Sequence, residues 1–241
     1  MTDLLRRLIE LEADVRYQEF TKEGDEGFTY APGGVPVLLS APHGAVHTRL
    51  GKLKQEDEYT TGFARLIAEK TGVHVIYTRR KSNTDPNWYP DVPYKLLLRQ
   101  VVETEVIRFV LDIHGCAEYR DFGIALGTMG GESCPRQRDA IIRMFEAYGF
   151  FQDAENQLCR IDVDRRFTAA GLEGQETITH FVWETLGVPA AQFEIHPSLR
   201  IVERRPDATE PQPFHGVPEM IEAVIQVFVE LVHVLSDPIT G

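Results

Sequence analysis

The sequence predicts an α/β fold in one domain over residues 1–241, with a mixed, mostly parallel central sheet flanked by helices. The main reason is alternation: short apolar, β-branched runs follow amphipathic segments of helical period along the whole chain. A second reason is that no internal repeat, low-complexity tract or Gly/Ser linker divides the 241 residues. Ligands of such sheets bind beyond the carboxyl ends of the strands, so those ends are where functional residues are expected.

The N-terminal half predicts three helices and three strands. The helices are expected at 2–12, 58–70 and 94–104, and the strands at 35–40, 73–77 and 107–113. A polar stretch after the first helix has the pattern of a hairpin, with apolar positions at Val15, Tyr17, Phe20, Phe28 and Tyr30. A loop rich in Asn, Asp and Pro covers 82–93.

The C-terminal half continues the alternation less regularly. Strands are expected at 122–126 and 190–195, with a weaker one at 157–161, and helices at 135–148, 176–186 and 221–235. The last of these helices is the most apolar long segment, but it is shorter than the roughly 20 residues that span a bilayer.

Composition excludes several classes of function. Thirty-seven acids against 25 bases give a formal net charge of −12, which repels phosphate backbones and argues against nucleic-acid binding. Three scattered cysteines form no disulfide framework, and the N-terminus lacks the apolar core of a signal peptide. We therefore expect a cytoplasmic protein with neither a membrane nor a nucleic-acid partner. Nothing in the sequence indicates an oligomeric state.

Polar residues of a restricted kind gather at three strand ends. The three segments are Ser40-Ala-Pro-His43-Gly44, Asp112-Ile-His114-Gly115 and Gln192-Phe-Glu194-Ile-His196. Each motif alone is also typical of an ordinary strand end or a buried, hydrogen-bonded histidine. Together with the acidic residues 56–58, two histidines and a carboxylate favour a catalytic zinc site with one open position.

Supporting roles follow from strand geometry. Residues i and i+2 of a strand share a face, so Asp112 is expected to orient the imidazole of His114. Glu194 lies in an apolar run, where a carboxylate is costly unless it has a partner or a task. A nucleophilic Cys116 is disfavoured by its acidic neighbours, and Ser40 lacks the Gly-x-Ser-x-Gly elbow.

The order of these motifs resembles the N-formylglutamate amidohydrolase family, relatives of the zinc carboxypeptidases. The matching pieces are Ser-Ala-Pro-His43-Gly, Asp-Glu58-Tyr-Thr, Arg79 to Asn87, Asp112-Ile-His114-Gly and Gln192-Phe-Glu194. The resemblance implies a carboxypeptidase-like fold and one zinc ion per chain. It also implies hydrolysis of a linear, non-peptide amide bond in a small acyl amino acid such as N-formyl-L-glutamate.

Site roles are carried over by position. His43, Glu58 and His114 match the metal ligands, although Glu56 and Asp57 are close enough to be confused with Glu58. Glu194 matches the general base that activates water. Arg79 or Arg80 matches the arginine that stabilises the oxyanion or holds a substrate carboxylate. The ligand types do not separate zinc from other divalent metals.

One departure from the family concerns substrate binding. Family members usually have an Asn-Arg pair where this chain has Asn87-Trp88, and Trp cannot neutralise a carboxylate. We expect Asn87 to contact substrate and Arg99 or Arg200 to replace the missing arginine. The alternatives are a peptidase or deacylase of a less acidic substrate, and a non-catalytic binding module on the same scaffold.

Overall fold

The first part of the chain builds the N-terminal half of the central sheet. This computed structural model describes residues 1–22 and 24–237. Its first elements are, in order, α1 (Asp3–Glu12), β1 (Arg16–Phe20), β2 (Phe28–Ala31), β3 (Val35–Ala41), β4 (His47–Arg49), β5 (Lys52–Lys54), α2 (Thr60–Thr71), β6 (Val73–Thr78) and β7 (Arg80–Lys81). The strands β4 and β5 form a separate antiparallel ribbon.

The second part completes the sheet and ends in a long helix. Its elements are α3 (Pro93–Thr104), β8 (Phe109–Gly115), β9 (Ile124–Gly127), α4 (Arg138–Ala147), β10 (Ile161–Val163), α5 (Ile178–His180), β11 (Ala190–Ile195) and α6 (Pro218–Ser236). A π-helical turn, Phe181–Thr185, continues α5.

Seven strands form the central sheet in the order β10-β9-β11-β8-β3-β6-β2. The four middle strands are mutually parallel, while β2 runs antiparallel to β6, and β9 runs antiparallel to β11. The predicted mixed, mostly parallel sheet is therefore confirmed. Because β3, β8 and β11 are neighbours, their carboxyl ends lie side by side, as the strand-end motifs require.

The two faces of the sheet bury different side chains. Phe109, Leu111 and Ile113 of β8 join a core cluster with α1, α2, α4 and α6. Val110 packs on the other face, where α3 and α5 lie. Asp112 and His114 share that second face with Val110, since strand residues alternate between faces. The strongest apolar strand of the sequence thus presents its polar residues to one side of the sheet.

A buried carboxylate joins α1 to α2. Oε1 of Glu12 accepts hydrogen bonds from the Tyr17 hydroxyl at 2.7 Å and the Tyr59 amide at 3.1 Å, and Oε2 accepts from the Gly62 amide at 2.6 Å. The first turn of α2 thereby receives an acceptor for amides that have no partner within the helix. Burial nevertheless raises the pKa of Glu12 to about 7.

Two local predictions differ from the structure. The stretch after α1 is not a hairpin, because β1 pairs in parallel with β7 and β2 pairs with β6. The strand expected at 157–161 is a 3₁₀ turn at Gln157–Cys159 followed by β10.

In the described part of the chain no helix has the length and apolarity needed to cross a membrane.

Candidate metal centre and its cavity

Two histidine rings face each other at the carboxyl ends of β3 and β8. Their Nδ1 atoms, in His43 and His114, are 3.1 Å apart, and Oδ2 of Asp57 lies 3.5 Å from each of them. All three side chains are buried or nearly so. Asp57 is held beside His43 because its backbone amide donates to the His43 carbonyl at 2.8 Å.

Close backbone packing brings the histidines into place. A Cβ on Gly44 would lie 2.0 Å from the Thr61 hydroxyl oxygen, and one on Gly115 would lie 2.6 Å from the Arg200 guanidinium. Neither glycine has the positive φ of a tight turn. The glycine after each histidine is therefore required by the approach of a neighbouring side chain, rather than by a positive φ.

The Nε2–H group of each histidine donates a hydrogen bond to a buried carboxylate. Nε2 of His43 lies 2.8 Å from Asp85 Oδ1, and Nε2 of His114 lies 2.9 Å from Asp112 Oδ2. A carboxylate only accepts, so each Nε2 carries a proton, and in a neutral imidazole the Nδ1 atom then presents a lone pair. Two such nitrogens 3.1 Å apart need a proton or a metal ion between them, and the neighbouring carboxylates Asp85, Asp57 and Asp112 raise the pKa of both histidines.

The donor set fits a divalent metal. Two imidazole nitrogens and the Asp57 carboxylate oxygen lie within 4.8 Å of one another, as in the three-ligand sets of catalytic zinc sites. Carboxylates that orient ligating imidazoles are the usual outer partners of such metals, and Asp85 and Asp112 have that position. The structure thus contains a candidate metal site.

Glu58 lies outside this cluster, which corrects the predicted position of the carboxylate ligand. Its Oε1 accepts from Arg204 Nε at 2.8 Å, and its side chain faces a second cavity. Glu56 is also turned away, since it accepts from the amide and hydroxyl of Thr209, both at 2.6 Å. Of the three acids left open by the sequence, only Asp57 reaches the histidines.

Glu194 lies next to His114 across the β8–β11 pairing. The two residues are register partners, and both line the same cavity of about 500 Å³. Nε2 of Gln192 donates to Glu194 Oε1 at 2.8 Å, and Oε2 receives no hydrogen bond from the described residues. Burial raises the pKa of Glu194 to about 7. A carboxylate with one free oxygen beside the candidate metal site is placed to accept a proton from water.

His47 is a site residue that sequence analysis did not select. Its ring stacks on that of His43 with centroids 4.0 Å apart, and it lines the cavity. Nδ1 donates to the Ala45 carbonyl at 3.3 Å, and burial lowers the pKa of His47 to about 3. The ring is therefore neutral. Its position four residues after His43 was the one available signal.

Arg49 also lines the cavity without having been predicted. Its Nε donates to Asp85 Oδ2 at 2.5 Å, and its guanidinium carbon lies 5.2 Å from the centre of the Trp88 ring. Trp88, which replaces the expected arginine, thus supports an arginine from β4. Asn87 lines the cavity, and its Oδ1 accepts from the Ile178 amide at 2.7 Å.

Two solved structures have this arrangement of strands and helices. N-formylglutamate amidohydrolase from Ralstonia eutropha JMP134 superposes with a TM-score of 0.57 at 13% identity, over 87% of this chain and 98% of that one. The gene product Atu2144 from Agrobacterium tumefaciens superposes with a TM-score of 0.51 at 13% identity, over 89% and 96%. The chain has the N-formylglutamate amidohydrolase fold. No family model matches the sequence, and no curated protein sequence is significantly similar to it.

Three of the predicted arginines lie away from the cavity of this fold. Arg79 and Arg80 belong to the β1–β7 edge, where Arg80 pairs with Glu19 at 3.0 Å. Arg99 of α3 stacks on Phe181 at 5.5 Å. None of these three is among the residues that line the 500 Å³ cavity.

The guanidinium of Arg200 is occupied by hydrogen bonds to backbone carbonyls. Its guanidinium donates to the carbonyls of Ile195, at 3.1 Å, and of Glu58 and Cys116. It lines the second cavity and is absent from the lining of the first. Arg200 therefore fixes the loops that carry Glu58 and Cys116, and the sequence-based expectation that it binds substrate is not supported by its position.

Cys116 is equally unsuited to nucleophilic chemistry. It is buried, and its burial, together with the nearby Glu194 charge, raises the pKa of the thiol to about 12. The thiolate is the nucleophilic form, so this environment opposes its formation. His196 is occupied as well, since its Nε2 donates to the Glu118 carbonyl at 2.9 Å.

Proposed function

We propose that this protein is a metal-dependent hydrolase of a linear amide bond in an N-acyl amino acid, with N-formyl-L-glutamate as the first candidate substrate. The observation that carries the proposal is the pair of Nδ1 atoms of His43 and His114, 3.1 Å apart beside Asp57, with Glu194 on the adjacent strand. A solved N-formylglutamate amidohydrolase with the same fold supports the choice of substrate.

His43, Asp57 and His114 would hold the metal, and zinc is the first candidate because the donor set is nitrogen and oxygen with room for a further ligand. A divalent cation at this position supplies Lewis acidity, which polarises a carbonyl and acidifies water. Asp85 and Asp112 accept from Nε2 of the two imidazoles, which would leave Nδ1 of each neutral ring to bind the metal.

Glu194 performs the proton transfers. Its Oε2 accepts the proton of the attacking water, while Gln192 keeps Oε1 engaged. The same carboxylic acid then donates that proton to the leaving nitrogen, so one group serves as base and afterwards as acid. Arg49, held by Asp85 and Trp88, retains donors for the oxygen that develops negative charge.

The experiment combines metal analysis with an activity assay. We would measure metal per chain by elemental mass spectrometry on untagged protein, beside His114→Ala, and assay formate release from N-formyl-L-glutamate. About one zinc per chain that His114→Ala loses, together with formate release that a chelator abolishes and zinc restores, would support the proposal. Folded wild-type protein that binds no metal and hydrolyses no acyl amino acid would overturn it in favour of a non-catalytic binding module.

A larger substrate is the second candidate. The second cavity, of about 690 Å³, shares Asp57 and the Gly115–Ala117 segment with the first. A peptidase or a deacylase of longer acyl groups would use both cavities. Faster hydrolysis of N-acyl dipeptides than of N-formyl-L-glutamate would favour this function over deformylation.

A further inference from the structure

The lining of the 500 Å³ cavity is cationic away from the metal centre. Among its described residues are four basic side chains, Arg49, Lys54, Arg120 and Arg166. The two carboxylates of the lining are Asp57 and Glu194, which the proposed chemistry already uses. A cavity of this kind attracts an anionic ligand.

The arginines of the cavity differ in their partners. Arg49 donates to Asp85 at 2.5 Å, and Arg166 forms a two-point ion pair with Asp121. Arg120 has no hydrogen bond or ion pair from its guanidinium to any residue in the described ranges, and its Nε is buried without an acceptor. A guanidinium stays charged at any physiological pH, and because Arg120 lines the cavity, a ligand there would supply the acceptor that this donor lacks.

Aromatic rings hold the Arg120 guanidinium in place. Its Cζ lies 5.0 Å from the centre of the Tyr119 ring and 5.0 Å from that of Phe167. Contacts with ring faces fix a guanidinium while leaving the N–H groups at its edge available. The entropic cost of ordering this side chain on binding is thereby reduced.

We propose that Arg120 binds a carboxylate of the substrate. This inference rests on the proposed hydrolase function and deepens it by naming the residue that recognises the substrate. A carboxylate matches the paired N–H groups of a guanidinium edge, and every N-acyl amino acid carries at least one. Arg120 would thus bind the substrate carboxylate, the role that sequence analysis assigned to Arg79, Arg80, Arg99 or Arg200.

The test compares Arg120→Gln and Arg120→Lys with wild type on three substrates: N-formyl-L-glutamate, N-formyl-L-glutamine and the α-amide of N-formyl-L-glutamate. The matched control is Arg143→Gln, which removes the same charge from an exposed position of α4. Metal content and thermal midpoint would be measured for every variant, so that loss of folding is separated from loss of recognition.

We expect Arg120→Gln to raise KM for N-formyl-L-glutamate at least tenfold, with kcat within about threefold of wild type. For the mono-amide that lacks the recognised carboxylate, wild type and variant should have the same KM. Arg120→Lys should recover part of the loss, since it keeps the charge without the paired N–H groups. An unchanged KM, or an equal loss on all three substrates, would overturn the proposal.

A binding measurement separates this inference from the hydrolase function. If wild type hydrolyses none of the substrates, titration calorimetry with glutarate still tests the carboxylate site. Binding that Arg120→Gln weakens at least tenfold would support the role of Arg120 although the hydrolase proposal had failed. Equal binding by both proteins, or binding by neither, would overturn it.

Discussion

Asp57 and Glu58 are adjacent in the chain, and their carboxylates have different partners. Oδ2 of Asp57 lies 3.5 Å from Nδ1 of both His43 and His114, while Oε1 of Glu58 lies 2.8 Å from Nε of Arg204. One acid therefore belongs to the candidate metal centre, and the other neutralises a buried arginine beside it.

Substitution of Asp57 should therefore affect metal content, whereas substitution of Glu58 should affect stability. We expect Asp57→Asn to lose stoichiometric metal, because the amide removes the one charged ligand of the site. Glu58→Gln should keep the metal and instead lower the free energy of unfolding by about 1–3 kcal/mol, because its pairing with Arg204 is weakened. Metal analysis and urea unfolding of both variants check the pair. Loss of metal in Glu58→Gln with retention in Asp57→Asn would reassign the ligand.

Glu194 provides the test of the proton-transfer role. Glu194→Gln preserves the shape of the side chain but removes the basic oxygen, so we expect kcat to fall at least 10²-fold while metal content is unchanged. Glu184→Gln, at an exposed position of the π-helical turn, is the control and should retain full activity. Wild-type turnover by Glu194→Gln would refute the assignment.

The carboxylates behind the histidines should tune metal affinity. We expect Asp85→Asn and Asp112→Asn each to weaken metal binding by about 10–100-fold, since the imidazoles lose the acceptors that fix their tautomers. Competition with a chromogenic chelator measures this effect. Asp139→Asn, a change in the first turn of α4, should leave the affinity unaltered.

Glu12 predicts a pH dependence of stability that is unconnected with the metal. Burial raises its pKa from 4.5 to about 7, so between those values the folded state binds a proton that the unfolded state lacks. The free energy of unfolding should therefore decrease as the pH rises from about 4.5 to about 7, by up to about 3 kcal/mol, and this contribution should level off above pH 7.

Urea unfolding of wild type and Glu12→Gln at pH 5 and pH 7.5 checks this dependence. The difference in free energy between the two proteins should itself change with pH, because the variant cannot titrate at this position. Glu10→Gln, an exposed change in the same helix, should give a difference that does not depend on pH. A pH-independent difference for Glu12→Gln would show that Glu12 ionises normally in the folded protein.

Much of the fold and part of the site follow from local sequence. Strands at 35–40, 107–113 and 190–195 were predictable because their apolar runs are continuous, and buried parallel strands require such runs. His43, His114 and Glu194 were predictable because they sit at or beyond the carboxyl ends of those strands. Alternation along β8 also places Asp112 on the face of His114.

Tertiary structure decided the rest. A shift of one residue redirects a side chain, so the choice between Asp57 and Glu58 depended on the backbone bond from Asp57 to His43. Arg120 acquires its position only when Phe167, from a distant loop, packs on its guanidinium. The sequence by itself determined which strands form and which chemical groups stand at their ends, because periodicity and burial are local properties. Which acid and which arginine enter the cavity depends on contacts between distant segments, and those contacts form only in the folded chain.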